Sequence, residues 1–184
     1  MLGLILFYLV KNHLTYIFTF MHEISHAIVA IFYRIEISDF VIIIGGTSYV
    51  GMSFLPYGPK TSNILIAGSI GVFLLGFFMI MLLMLKRGIK AEIFLPLFAL
   101  ISTAIIHNID YWILGAINNF GDAWDFLLNN PLIDSFQLIH VCSILKNEVI
   151  LFLIIFFVFK TISMVRRRIY EIVPDFSQFI IIND

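Results

Sequence analysis

The chain has 184 residues, of which 61% are hydrophobic and only 12% are charged, and its mean hydropathy is +1.03. In a soluble domain about a quarter of the residues are charged. A water-soluble fold of this size could not bury so much apolar surface, so lipid must surround part of the protein. The net charge of −1 provides no basic field for nucleic acid, and the single cysteine, Cys142, excludes an internal disulfide and a cysteine-rich zinc site.

The chain begins with an apolar segment, residues 1–10, which is followed by Lys11, Asn12 and His13. A signal peptide would place its positive charge before the apolar run and small residues after it. Neither feature is present. We therefore expect this segment to be retained membrane structure, either a short lead-in or the start of a long first helix. No repeat or linker divides the chain, so one domain over residues 1–184 is predicted.

Four segments are long and apolar enough to cross a bilayer, which takes about 20 residues of helix. They lie at residues 14–33, 64–85, 93–117 and 149–164. The last is short, and an upstream extension through 139–145 would lengthen it. The predicted fold class is an all-α membrane protein of about four transmembrane helices.

Residues 36–57, between the first and second spans, do not have a helical pattern. A β-branched run follows Asp39, Gly45-Gly46 is typical of a turn, and the next eight residues alternate loosely. This pattern predicts a small β-hairpin. Because a bare hairpin in lipid would leave edge groups unpaired, it must lie at the interface or against the helices.

Positive residues beside the spans favour the cytoplasmic side of a membrane. One cluster lies between the second and third spans and another follows the fourth: Lys86, Arg87, Lys90, Arg166, Arg167 and Arg168. If both clusters are cytoplasmic, both termini of this multi-pass protein are expected to be cytoplasmic too.

The first span contains the sequence HEISH, with His22, Glu23 and His26 in the spacing HExxH. Side chains at i and i+4 of a helix project from the same face, so both imidazoles can reach one tetrahedral zinc ion. Glu23 lies beside them as a candidate general base for water. The alternative is a set of polar residues that make interhelical hydrogen bonds or mark a helix end. Ionisable groups inside a membrane segment favour the functional interpretation.

The longer sequence HEISHAIVA, at residues 22–30, resembles the site-2 protease-like (M50-type) family of intramembrane zinc metalloproteases. The later order of features is similar as well: a hairpin, a second span opening with small residues at 67–71, and then an aspartate motif. The resemblance covers roughly residues 20–128. It implies a Zn²⁺-dependent endopeptidase that cleaves a transmembrane or juxtamembrane segment of another membrane protein.

A catalytic zinc needs three protein ligands and one open position. The family supplies the third from an aspartate beside a glycine, and the nearest match in this chain is Asp122, directly after Gly121 in what looks like a loop at 118–125. The prolines of the family motif are missing and its Leu-Asp-Gly order is changed to Gly-Asp. Asp125 and Asp110 therefore remain alternatives.

A polar group within the third span, His107, Asn108 and Asp110, has two interpretations. It could orient a zinc-bound histidine, or it could make interhelical hydrogen bonds, with Tyr111 and Trp112 as interface anchors. The competing function is a non-catalytic membrane protein, either an inactive protease relative or a metal-handling or transport protein. The presence of Glu23 argues against it, since a site that only holds metal needs no adjacent base. The sequence does not indicate an oligomeric state.

Overall fold

The computed structural model describes residues 2–41, 43, 49–52, 58–86 and 88–172. Its helices and strands follow the chain in this order: α1 Leu2–Phe32, β1 Ile37–Val41, β2 Tyr49–Met52, α2 Pro59–Leu85, α3 Ala91–Asn118, α4 Gly121–Asn129 and α5 Ser135–Ile172. Four of them contain segments long and apolar enough to cross a membrane: His13–Phe32, Pro59–Leu85, Ala91–Asn118 and Ser135–Ile169. The prediction of an all-α membrane fold with a small hairpin is confirmed.

Two of the spanning helices are longer than the segments chosen from composition. α1 is continuous from Leu2, so the N-terminal residues begin a long first helix rather than a separate lead-in. α5 begins at Ser135, well before residue 149, because Asp134 and Gln137 form a capping box there. The Gln137 amide donates to Asp134 Oδ1 at 2.7 Å, and the Asp134 amide donates to Gln137 Oε1 at 3.0 Å. These bonds satisfy amides that a helix start otherwise leaves unpaired.

The two strands pair antiparallel, with Val41 opposite Tyr49 and Ile37 opposite Met52. The register shifts between Ile37 and Asp39, which is typical of a β-bulge. Both strands contact α1. The hairpin therefore lies against the helices, as its unpaired edges require. The turn predicted at Gly45-Gly46 lies outside the described residues.

α2 packs against α1, α3 and α4, and α3 packs against all four of the other helices. Glycines on α2 allow neighbouring helices to approach its backbone closely. A Cβ at Gly68 would collide with imidazoles of α1, and a Cβ at Gly76 would collide with Ile105 of α3. Small residues allow such close contact between membrane helices. α5 packs mainly against α3 and leaves most of its surface exposed.

The antiparallel helices give the bundle two different ends. One end, which we call the aromatic end, is held by Phe94 and Phe98 of α3, which pack against Phe157 of α5 with ring centroids 6.2 and 5.6 Å apart. Beside them, buried Lys160 donates to the carbonyl oxygens of Met84 and Lys86 at 2.7 and 3.0 Å. The lysine thus pairs carbonyls that the C-terminus of α2 leaves without an intrahelical partner.

Candidate metal centre

Two histidines of α1 face α2 one helical turn apart. His22 and His26 present their Nε2 atoms to each other at 3.0 Å. The other nitrogen of His26, Nδ1, donates to the carbonyl oxygen of Ile64 on α2 at 2.6 Å. A histidine held in this way has a fixed ring orientation and keeps Nε2 available as a ligand, as is usual for histidines at metal sites. The close approach of α2 depends on Gly68, where any Cβ would collide with both imidazoles.

The third group comes from α4, which follows α3 after a sharp change of direction. α3 ends at Asn118, Asn119 adopts the left-handed conformation with φ 57°, and Gly121 begins α4 with φ 64°. This turn brings the start of α4 back over α1. Asp122 Oδ2 then lies 2.9 Å from His22 Nε2 and 3.3 Å from His26 Nε2.

The protonation state of Asp122 suits a metal ligand. Burial raises the pKa of its carboxyl, but the hydrogen bonds with His22 and His26 outweigh burial and hold the pKa below its usual value. The group is therefore a carboxylate at neutral pH. Metal binding requires the deprotonated form.

The spacing of these three donor atoms fits zinc. In a tetrahedral site with bonds of about 2.0–2.1 Å, two ligand atoms lie about 3.3 Å apart. The three separations in this group are 2.9, 3.0 and 3.3 Å. Two imidazole nitrogens and one carboxylate oxygen also form a donor set that catalytic zinc accepts. Within the described ranges, His22, His26 and Asp122 are the one group of three ligating side chains close enough to hold a metal ion.

Glu23 lies next to this group on α1 and is only 6% exposed. The site is not sealed, because the side chains of His22 and Asp122 keep 16% and 19% of their surface accessible. His26 is more deeply buried, with 6% of its side chain exposed. His22 and Asp122 are thus the partly accessible members of the site, and His26 and Glu23 are the buried ones.

The two alternative aspartates lie elsewhere. Asp110 of α3 pairs with Lys146 of α5, with 2.6 Å between Oδ1 and Nζ. Asp125 follows on the exposed side of α4, where partial burial and then the charge of Asp122 raise the pKa of its carboxyl. Neither joins the group formed by the two histidines.

The polar group of the third span makes interhelical bonds. Asn108 donates to the carbonyl oxygen of Ser69 and accepts from its hydroxyl, both at 3.4 Å. Trp112 donates to the same hydroxyl at 2.5 Å. Trp112 is buried, so its interpretation as an interface anchor is wrong. His107 is exposed.

Sequence reasoning also missed two contacts of the histidines: the Ile64 carbonyl, which accepts from His26, and Tyr111, whose ring meets His22 edge-on with centroids 6.2 Å apart. No side-chain pattern indicates that a main-chain carbonyl will meet a histidine. Tyr111 is considered from the sequence only as an interface anchor, and nothing in its own segment indicates that it meets a histidine of α1.

A family model described as Peptidase M50B-like matches residues 1–118, which is more than half of the chain. The chain belongs to the M50B-like peptidase family. No curated protein and no solved structure matches it.

Membership in the M50B-like family supports a membrane metalloprotease, and the four apolar helices make the chain a multi-pass integral membrane protein. The matched residues include His22, Glu23 and His26 but end at Asn118. Asp122 therefore lies beyond the match, and its assignment as a ligand stays a prediction that its position beside the histidines supports.

Proposed function

We propose that this M50B-like chain is a zinc-dependent intramembrane endopeptidase. His22, His26 and Asp122 would hold the ion, and Glu23 would act as general base and then as general acid. The observation that carries the proposal is the convergence of the three donor atoms, from α1 and α4, at separations that suit one tetrahedral ion. Glu23, buried on the same helix as the histidines, would be the general base, which a site that merely stores metal does not need.

A bound zinc ion would supply Lewis acidity, which polarises a peptide carbonyl and makes water a stronger nucleophile at neutral pH. Glu23 would accept a proton from the water while the oxygen atom of that water attacks the amide carbon. It would return that proton to the amide nitrogen as the C–N bond breaks, so the carboxylate is regenerated. Ile64 supports this chemistry indirectly, because its carbonyl keeps the His26 ring in one orientation.

The proposed substrate is a transmembrane or juxtamembrane segment of another protein within the bilayer. His22 lies near the middle of the span His13–Phe32, so a peptide bond must enter the depth of the membrane to reach it. The accessible surface of His22 and Asp122 gives the peptide and water a side from which to approach.

We also propose that both termini are cytoplasmic. Lys86 and Lys90 lie at the end of α2 and before α3, and the arginines 166–168 lie at the matching end of α5, so the positive charges gather at one face. A cysteine introduced at Lys90 should react with an impermeant thiol reagent only from the cytoplasmic side. Labelling from the opposite side would reverse the orientation. The native Cys142 is buried and gives little background.

The experiment that tests catalysis compares wild type with Glu23→Gln, both purified in detergent and loaded with zinc. Cleavage of a reporter with one transmembrane helix should fall about 10²- to 10⁴-fold in Glu23→Gln, the usual contribution of a general base, while the zinc content stays at the wild-type value. If wild type binds zinc but cleaves no reporter, a non-catalytic relative or a metal-handling protein becomes the better explanation. If Glu23→Gln cleaves as fast as wild type, Glu23 is not the base.

A further inference from the structure

Tyr111 of α3 reaches the point where α4 begins. Its hydroxyl lies so close to Gly121 that a Cβ there would collide with it, and it interacts with the backbone amide of Asp122. Its ring meets His22 edge-on, with centroids 6.2 Å apart, and Phe120 at 5.8 Å. One side chain of α3 therefore touches both sources of the candidate ligands, α1 and α4.

The start of α4 needs such a contact. The residue before the helix is Phe120, whose side chain cannot accept a hydrogen bond, and no side-chain cap is formed there. The first amides of a helix have no intrahelical partner, and Asp122 carries one of them. A short helix of nine residues depends on packing and caps for its stability, because few internal hydrogen bonds hold it.

The tyrosine itself is firmly placed. The next residue, Trp112, is buried and donates to Ser69 of α2, which fixes the register of α3 against the helix that supports His26. Tyr111 thus extends from a part of α3 that is already tied to the histidine side of the site.

We propose that Tyr111 is a positioning residue: its hydroxyl caps α4 at the Asp122 amide and so holds the Asp122 carboxylate against His22 and His26. The metal-binding consequence rests on the proposed function, whereas the cap itself does not. No contact of Tyr111 with substrate is required.

The test uses the full-length protein as wild type, Tyr111→Phe and Tyr33→Phe. Tyr111→Phe keeps the ring and removes only the hydroxyl. Tyr33→Phe is the matched control, because it also removes a hydroxyl that takes part in a hydrogen bond, with Asn63 at 2.6 Å, but outside the metal centre. Amide exchange over residues 121–125 is measured in the metal-free proteins, and zinc affinity is measured by competition with a chelator. The visible spectrum of the cobalt(II)-loaded proteins reports ligand geometry.

In Tyr111→Phe, amide exchange at the start of α4 should rise about fivefold, as expected for the loss of one hydrogen bond. Zinc affinity should fall about tenfold, the lower range for a group that orients a ligand, and the cobalt spectrum should change. Tyr33→Phe should match wild type in all three.

Unchanged exchange in Tyr111→Phe would overturn the cap. Faster exchange with unchanged zinc affinity and cobalt spectrum would reduce Tyr111 to a purely structural role and overturn positioning. Failure of wild type to bind zinc would overturn the proposed function and the positioning role together, while the exchange data would still decide on the cap.

Discussion

The two ends of this bundle hold their helices together by different means. At the site end, defined by His22, His26, Ser69, Asn108 and Asp122, neighbouring helices meet through hydrogen bonds and through glycine contacts. At the aromatic end they meet mainly through phenylalanine rings.

The difference matters because ring packing tolerates small shifts, whereas hydrogen bonds require fixed distances and angles. A ligand set must be held within about 0.5 Å of its productive geometry. Hydrogen bonds between helices are thus concentrated near the candidate metal centre, where the positions of the ligands must be precise. Changes that move His22, His26 or Asp122 should therefore weaken metal binding, whereas changes at the aromatic end should lower stability alone.

Among residues that are neither proposed ligands nor the proposed base, the largest effect is expected from an added methyl group on α2. Gly68→Ala places a Cβ against the imidazoles of His22 and His26, which must move apart or away from α2. We expect zinc affinity to fall about a hundredfold, at the upper range for changes beside a metal ligand. Chelator competition measures this.

The matched control is Gly76→Ala on the same helix. Its Cβ meets Cγ1 and Cδ1 of buried Ile105, so overpacking should cost about 1–3 kcal/mol of stability and leave zinc affinity unchanged. Equal loss of zinc affinity in both variants would show that the site responds to general packing rather than to the Gly68 contact.

This contrast also explains what the sequence could and could not predict. The spans follow from apolar length, and the pair His22 and His26 follows from helical spacing, since both are local properties. The contact of His26 with the Ile64 carbonyl joins residues 38 positions apart, and nothing in either segment encodes the distance.

The region after α3 shows the same limit. The sequence analysis treats residues 118–125 as a loop, yet α4 begins at Gly121. Asp122 lies in the first turn of α4, where acidic residues are common and can mark the start of a helix. Trp112 is buried rather than interfacial because Ser69 of another helix accepts its N–H, and a single segment cannot reveal that partner.

A smaller effect is expected at the aromatic end from Lys160→Met. The change keeps the length and apolar stem of the side chain but removes the two bonds to Met84 and Lys86 carbonyls. Stability in detergent should fall by about 2 kcal/mol, because hydrogen bonds to a charged group are the stronger kind. Lys90→Met, at an exposed position, serves as the control. A loss of zinc from Lys160→Met would show that the aromatic end also affects metal binding, and the proposed difference between the two ends would be wrong.

The smallest effect is expected from Asn108→Leu at the site end. Its bonds with Ser69 are long, at 3.4 Å, and polar contacts between membrane helices average about 0.6 kcal/mol. Stability should fall by less than about 1 kcal/mol. Ser102→Ala is a suitable control, since its hydroxyl has no hydrogen-bond partner among the described residues. A loss above about 3 kcal/mol would mean that the network holds the bundle and does more than align α2 with α3.

The most direct test of the central claim, that α4 supplies the third ligand, is the zinc content of four purified proteins: wild type, Asp122→Ala, Asp125→Ala and Asp110→Ala. We expect about one zinc per chain in wild type, Asp125→Ala and Asp110→Ala, and a large loss in Asp122→Ala alone, because a catalytic site has three protein ligands. If Asp122→Ala keeps its zinc while Asp125→Ala or Asp110→Ala loses it, Asp122 is not the third ligand. If wild type binds none, the convergence of His22, His26 and Asp122 is a polar packing motif and the proposed protease mechanism fails.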